Sequence, residues 1–419
     1  MDDFGKLVQG KLSHDLWAWG PHNKPIIPLR LVLALCMVLT SLTGCLSPYS
    51  LEKAVVGYDH AITNTLVEQL LINIARAHRH QPVHFTGVSN IAATFDFRVN
   101  AGATPPLGGL DGGFSLAPLF GTSIAENPTI SISPIDGEEF TNRLLTPLKE
   151  SILTLLLRQG VDIDLLLRLM AGELRIFQGE KEVAYHNKPS DKVGYPIFRR
   201  AVLHLSQLQD TNQLYVEPLV LDRSWTIPFS ALSGEDFSTL ENEYRVTYDT
   251  ATSAYILQKR VVGRIVITNY DPDLLSPDER LDLQEKAERW PPNDLLVDIR
   301  PGFPGGEVPL QGDFRLRSFH AILNFLGLTM EEEPEYHVDP DPLTGQVTEN
   351  PIRTFAIVET DAQPAQAILA AVYEGEYYSF SDQPNESWNQ EAFRLLYQLY
   401  QMTVTEELKG AAPSITIAK

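Results

Sequence analysis

Residues Leu31 to Leu42 form an uncharged, mainly apolar run of twelve residues between Arg30 and Thr43-Gly44-Cys45. At about 1.5 Å per residue, a helix of that length spans about 18 Å, which is shorter than the roughly 30 Å hydrocarbon core of a bilayer. A basic flank, a short apolar core and small residues after it are the order of an export signal that is cut off. We therefore predict that residues 1–44 are a signal peptide and take no part in the fold.

The four residues Leu42-Thr43-Gly44-Cys45 resemble the lipobox of bacterial lipoproteins. The resemblance implies that the Cys45 thiolate takes up lipid and that Cys45 becomes the first residue of the mature chain. The next residue is Leu46, whereas lipoproteins that are retained in the inner membrane have aspartate at this position. In a bacterium with two membranes, the resemblance therefore implies an anchor in the outer membrane, with the protein facing the periplasm.

Cysteine usage agrees with this assignment, because the chain contains two cysteines, Cys36 and Cys45. Cys36 lies in the segment predicted to be removed, and Cys45 is predicted to carry lipid. No thiol remains for a disulfide, so the fold has to be held by a hydrophobic core. A chain of 419 residues is long enough for two or three such compact units.

The charge balance limits the class of partner. Lys and Arg number 33 against 54 Asp and Glu, which gives a formal net charge of −21. Such a charge repels phosphate backbones, so we predict that nucleic acid is not a partner. The predicted partners are a membrane, through the N-terminal lipid, and a protein of the cell envelope.

Helical and strand patterns alternate along the chain, which predicts an α+β fold of mixed helices and small antiparallel sheets. The predicted units are an N-terminal α+β domain (45–180), a central α+β domain (181–330), an acidic, proline-rich linker (331–352) and a C-terminal α+β unit (353–419). The predicted helices include 51–80, 138–160 with a kink or break at Pro147, 161–174, 196–209, 276–290, 317–327, 362–369 and 387–408.

Two segments predict the strands of a hairpin. Phe95, Phe97 and Val99 alternate with polar residues over residues 94–100, and Thr129 to Ser133 alternate in the same way. The connection between them, 101–127, holds six glycines and three prolines and has Asp111 and Glu126 as its charged residues. We predict a long, flexible connection.

The connection contains four large apolar residues, Phe114, Leu116, Leu119 and Phe120. In one interpretation they belong to a loop that folds back over its own domain. In the other, they contact a protein partner or a bilayer, and hairpins from several copies satisfy each other's backbone groups. The second arrangement would resemble oligomeric lipoprotein channels such as the curli exporter, although predicted strands of about seven residues are shorter than the nine to eleven that a tilted membrane strand needs.

No motif for catalysis or metal binding emerges from the sequence. His78, His80 and His84 cluster, but residues two apart on a helix point in different directions, so a shared metal is not expected. Nucleophile-elbow, P-loop and dinucleotide-binding patterns are absent from the sequence. We predict no catalytic residue, no metal and no cofactor.

The segments Tyr58 to Arg76, Pro82 to Phe85 and Pro128 to Pro147 resemble a family of uncharacterised bacterial lipoproteins. The resemblance covers about a quarter of the chain and implies no activity. The working hypothesis is a lipid-anchored envelope protein with a non-catalytic assembly, scaffold or protein-binding role. The alternatives are a membrane-tethered hydrolase or ligand-binding protein, and an oligomeric outer-membrane channel component that uses the hairpin 94–133.

Overall fold

The computed structural model describes residues 46–104, 117–179, 181–231, 240–365, 367–380 and 387–403. The helices are α1 (Leu46–His78), α2 (Glu138–Leu145), α3 (Glu150–Leu157), α4 (Ile163–Met170), α5 (Gly194–Asp210), α6 (Pro277–Glu288), α7 (Phe319–Met330) and α8 (Trp388–Thr403). The strands are β1 (Phe85–Thr104), β2 (Ala117–Ile135), β3 (Ala171–Gln178), β4 (Lys181–His186), β5 (Tyr215–Pro228), β6 (Arg245–Asp249), β7 (Ala254–Thr268), β8 (Asp294–Ile299), β9 (Leu310–Leu316), β10 (Val358–Thr360), β11 (Leu369–Tyr373) and β12 (Glu376–Phe380). The predicted α+β fold is confirmed.

The strands form three sheets in the described part of the chain. The largest has seven strands in the order β4-β3-β9-β8-β7-β5, with β6 also paired to β7. Its pairs are antiparallel except β7–β8, which run parallel and are joined through α6. A three-stranded sheet has the order β10-β12-β11, and β1 and β2 pair only with each other.

Strand β8 shows how the largest sheet is buried on both faces. Leu295, Val297 and Ile299 belong to the main hydrophobic core, whereas Leu296 belongs to a second, smaller cluster with Leu283 of α6. Because successive strand residues alternate between faces, one strand contributes to both cores. Helix α6 has a capping box at Ser276, in which the Ser276 hydroxyl and the Glu279 carboxylate each accept from the other residue's backbone N–H.

Chain contacts divide the protein into two units, Met1–Thr63 and Asn64–Lys419. Within the second unit, one main core contains residues from every predicted domain. Strand β3 pairs with β9, and Tyr400 of α8 packs against Phe85 and Phe319 with ring centroids 4.8 and 5.8 Å apart. The boundaries predicted at residues 180 and 330 therefore do not separate hydrophobic cores.

The acidic segment 331–352, predicted as a linker, is packed against the helices. Glu335 is buried, and its carboxylate lies 2.9 Å from the guanidinium of Arg168 in α4. Asn350 accepts a hydrogen bond from Arg199 of α5 and donates one to the backbone of Val338. The acidic composition of 331–352 predicted a solvent-exposed linker. Composition alone does not show that an acidic residue has a buried arginine as its partner.

Helices α1 and α7 meet at a close backbone contact. A Cβ atom at Gly327 would lie 2.5 Å from the backbone nitrogen of His78, so only glycine fits without a shift. The predicted helix at 51–80 is confirmed, and the predicted break at Pro147 falls between α2 and α3.

Three other predictions need correction. The helix predicted to reach Leu174 ends at Met170, and residues 171–178 are strand β3, whose pairing with β4 and β9 outweighs local helix propensity. No helix occurs in the described part of 362–369. The hairpin strands have 20 and 19 residues, far more than predicted.

Candidate functional site

The base of the β1–β2 hairpin is fixed in the main core. Phe85, at the start of β1, is fully buried and packs edge-on against Phe140, with centroids 6.2 Å apart. Its partner across the hairpin is Ile135, the last residue of β2, which also packs against this core. The two strands therefore leave the body side by side from an anchored pair.

Helix α1 holds the same point by polar contacts from one of its faces. Asn73 accepts from the backbone N–H of His84 at 2.8 Å and donates to the carbonyl of His84 at 2.9 Å. Gln69, one turn earlier, accepts from the backbone N–H of Thr86 at 2.8 Å and donates to its carbonyl at 3.2 Å. Arg76 adds a second donor to the His84 carbonyl at 2.9 Å. The side chains of α1 thus pair with the backbone as a neighbouring strand would.

Sequence reasoning missed this contact, although the sequence carries a signal for it. Asn73 stands inside the apolar run Leu70-Leu-Ile-Asn-Ile-Ala75 and is fully buried in the structure. A buried amide needs hydrogen-bond partners, so an asparagine at a core position predicts a backbone contact. The sequence did not show that the contacted backbone is the entrance to the hairpin.

Beyond its base, the hairpin is a long sheet of two strands. The antiparallel register runs from Phe85↔Ile135 to Thr104↔Ala117 with one irregularity, between Val88 and Asn90. No third strand in the described residues pairs with either outer edge. Beyond Thr86, whose backbone N–H and C=O are bound by Gln69, each edge therefore presents backbone groups that another strand can bind.

The register places two of the four predicted apolar contact residues. Leu119 lies opposite Gly102, and Phe120 lies opposite Ala101. Both belong to β2 and not to a flexible loop, which corrects that part of the prediction. The strand was not predicted here because the residues around Leu119 and Phe120 are rich in glycine and alanine. They lack the alternation of large apolar and polar residues that indicates a strand.

The remaining predicted site residues lie outside the residues that the structure describes. These are the lipidation residue Cys45, the lipobox residues Leu42, Thr43 and Gly44, and the apolar residues Phe114 and Leu116. Lipidation at Cys45 therefore stays a prediction from the sequence.

The three clustered histidines make separate contacts. His78 Nδ1 lies 3.1 Å from the carbonyl oxygen of Gly327, and His80 Nε2 lies 2.8 Å from a carboxylate oxygen of Glu332. The backbone of His84 is bound by Asn73. Across the described ranges, no three His, Cys, Asp or Glu residues are grouped as metal ligands.

A buried charge cluster lies on the largest sheet around Arg175. Its guanidinium binds Asp294 and Asp313, lies 3.2 Å from Glu182 and packs 4.3 Å from the ring centroid of Trp290. Burial raises the pKa of Asp313 to about 6, although Arg175 opposes the shift. Arg175 therefore holds both carboxylates inside the sheet, and removing the guanidinium would leave them buried without a cation.

A second cluster joins α4 to the segment after α7. Arg168 is fully buried, pairs with Glu335 and donates to the carbonyls of Pro351 and Ile352 at 2.8 and 2.7 Å. Burial opposes ionisation of Glu335, but Arg168 and the backbone N–H of Thr354 outweigh it and lower the pKa of this carboxyl. The pair therefore remains charged inside the core.

Two cavities in the described part of the chain bear on the hydrolase and ligand-binding alternatives. One, of about 660 Å³, lies between α2, α3 and the end of α8, and the other, of about 420 Å³, lies beside Trp290. Neither has a histidine in its wall. The hairpin, with its fixed base and free edges, is the more distinctive site.

No protein-family model, curated protein or solved structure is significantly similar to this chain. Among the helices that the structure describes, none is both long enough and apolar enough to cross a membrane.

Proposed function

We propose that this protein is a lipid-anchored envelope protein that acts by assembly and not by catalysis, and that its copies associate through the edges of the β1–β2 hairpin. The observation that carries the proposal is a hairpin of 20 and 19 residues whose outer edges have no strand partner in the described chain. The lipobox resemblance at Cys45 supports an anchor in the outer membrane, facing the periplasm.

The edges are suited to pairing with another strand. Strand β1 contains no proline, and β2 has nine residues, 119–127, free of proline between Pro118 and Pro128. Those nine residues extend for about 30 Å at about 3.3 Å per residue. A two-stranded hairpin is marginally stable alone in water, so an added strand on either side stabilises it.

The geometry of the edges favours more than two copies. One outer edge belongs to β1 and the other to β2, so copies that pair β1 to β2 do so head to tail. Head-to-tail contacts leave two edges free in every open chain of copies, one at each end, and only a closed ring satisfies all edges. The base fixed by Phe85 and Asn73 gives each hairpin a defined direction from its body.

The test compares two deletions in cells that express the full chain. One deletes 88–132 and joins the flanks, which lie side by side because Gly87 pairs with Ser133, through a two-residue turn. The matched control deletes 105–116 and keeps both strands. Chemical crosslinking followed by gentle detergent extraction and mass spectrometry then gives the oligomeric state and any co-purifying envelope protein.

We expect oligomers from the full chain and from the control, and monomers from the chain that lacks 88–132. A monomeric full chain with no captured partner contradicts the proposal, as do oligomers that survive loss of the hairpin. A Cys45→Ser variant tests the anchor separately, since it should leave the membrane fraction and accumulate with its leader uncleaved.

A channel component is the second candidate, and the length of the strands favours it. A tilted strand needs about nine to eleven residues to cross the hydrocarbon core, and both strands are longer. Deletion of residues 104–124 should then lower the permeability of the outer membrane to small solutes. Unchanged permeability would leave assembly as the function and remove the channel.

A further inference from the structure

The register of the hairpin assigns its residues to two faces. From Asn90↔Ser131 to Thr104↔Ala117 the pairing is uninterrupted. Residues directly opposite each other in an antiparallel pair share a face, and successive residues alternate between faces. Odd-numbered residues of β1 and even-numbered residues of β2 therefore share one face over 91–103 and 118–130.

The first face is apolar in composition. Its large apolar residues are Ile91, Phe95, Phe97, Val99, Phe120, Ile124 and Ile130, and its one charged residue is Glu126. Thirteen residues per strand extend for about 43 Å, and a bilayer core of about 30 Å crossed at about 45° needs that length.

The opposite face is polar in composition. It contains Thr94, Asp96, Arg98, Asn100, Ser123 and Asn127, and much of the remainder is glycine or alanine. Leu119 is its one large apolar residue between 117 and 131. Leu119 and Phe120 therefore lie on opposite faces and cannot form a single contact patch.

In the part of the chain that the structure describes, this sheet of two strands is not extended or covered by another strand. Neither strand makes an extensive contact with another described element. Hydrocarbon chains are the occupant that fits, because an apolar strand face next to a closed set of backbone hydrogen bonds is stable in lipid. Water fits the polar face.

We propose that, in the ring of copies proposed above, the hairpin crosses the outer membrane with the Phe95–Phe97–Val99 face against acyl chains and the Asp96–Arg98 face along a water-filled path for small hydrophilic solutes. This assignment rests on assembly through the hairpin edges. Each copy adds one carboxylate and one guanidinium to the path, two residues apart on one strand.

Cysteine scanning tests the assignment on the full chain in outer-membrane vesicles. The parent chain has cysteines only at 36 and 45, which are predicted to be removed and acylated, so the parent gives the background. Single substitutions from Thr94→Cys to Ala101→Cys are treated with a membrane-impermeant maleimide and, separately, with a lipid-soluble one. We expect the impermeant reagent to label positions 94, 96, 98 and 100, and only the lipid-soluble reagent to label 95, 97, 99 and 101.

Two outcomes would overturn the assignment. Equal labelling of both sets by the impermeant reagent means that the hairpin lies in water, and impermeant labelling of the odd set alone means that the faces are reversed. Crosslinked oligomers that persist in either case show that assembly stands without the membrane path. If the parent chain itself forms no crosslinked oligomers, the proposed function is wrong.

Ion selectivity gives a second measurement. In planar bilayers that contain the purified oligomer, Arg98→Glu should shift the cation-to-anion permeability ratio toward cations by about twofold or more, because it reverses one charge per copy in the path. The control is Arg158→Glu at an exposed arginine on the body, which should leave the ratio unchanged. An unchanged ratio in Arg98→Glu overturns the assignment of the polar face.

Discussion

The β1–β2 hairpin and the seven-stranded sheet are both regular, but different interactions fix them. The large sheet is buried under helices, and its arginines and carboxylates form pairs inside the core, as Arg175 does with Asp313. The hairpin has a long backbone register but only two strands, and among the described residues the main core includes Phe85 and Ile135 at its base. The seven-stranded sheet thus has core packing on both faces, whereas the hairpin has no third strand in the described chain.

This difference indicates where function lies. Long strand edges without a strand partner can pair with another strand, which is why the proposed function rests on the hairpin. The ion pairs of the body lie inside its core. Four changes can break or sharpen the contrast between body and hairpin.

The largest effect should come from Arg168→Ala in the body. The substitution leaves the Glu335 carboxylate buried without its cation and removes donors to two backbone carbonyls. We expect the free energy of unfolding to fall by about 3 to 5 kcal/mol, as for other broken buried pairs. Urea denaturation followed by circular dichroism measures it.

The matched control is Arg158→Ala, which breaks an exposed pair with Glu217. Its effect should be about 1 kcal/mol or less. Similar losses in the two variants would contradict the view that buried pairs hold the body together.

Asn73→Ala should loosen the joint between body and hairpin. It leaves the N–H of His84 without its acceptor and removes one donor to the His84 carbonyl, so we expect a loss of about 1 to 3 kcal/mol. Hydrogen exchange should accelerate at residues 84–86 more than in α4 or α5. Uniform acceleration across the body would show that Asn73 supports the core and not the joint.

Asp162→Asn should reduce the dependence of stability on pH. Burial raises the pKa of Asp162 to about 6, so the folded state binds a proton that the unfolded state releases between about pH 4 and pH 6. This carboxyl therefore makes the free energy of unfolding fall as pH rises through that range, by about 1 to 3 kcal/mol.

The asparagine keeps an oxygen that can accept the backbone N–H of Asp164, as Asp162 does. We therefore expect the variant to lose less stability between pH 4 and pH 6 than the parent. Urea titrations at several pH values measure the difference, and equal slopes would contradict it.

The smallest effect on the body should come from removing the hairpin. With 88–132 replaced by a tight turn, Phe85 and Ile135 stay in place, so we expect the free energy of unfolding of the body to change by about 1 kcal/mol or less. Thermal denaturation in detergent measures it. A collapse of the body would show that the two regions are one cooperative unit.

Local patterns in the sequence predicted elements well where the signal is short in range. The helix over 51–80, the start of a helix at Ser276 and the break at Pro147 all depend on residues within a turn or two of each other. Strand pairing does not, because β3 meets β9 across more than a hundred residues. No local sequence signal therefore showed that strands pair across the predicted domain boundaries. In the same way, the sequence around Glu335 predicted solvent exposure because its partner, Arg168, is distant in the chain.

The hairpin was predicted only in part. Its large alternating residues, such as Phe95 and Phe97, mark the middle of β1, but the small residues of 101–104 and 117–123 carry no such mark. Glycine and alanine are depleted in strands in general, so these stretches gave little signal for one. The contact between Asn73 and His84 was not predicted, because an isolated polar residue in an apolar run does not identify its hydrogen-bond partner.

The pairing of Phe85 with Ile135 means that the polypeptide departs from the body and returns to it at a single point. An excursion of this kind can gain or lose residues in matched pairs, one from each strand, without moving any atom of the core. The length of the hairpin can therefore change without a change in the core of the body.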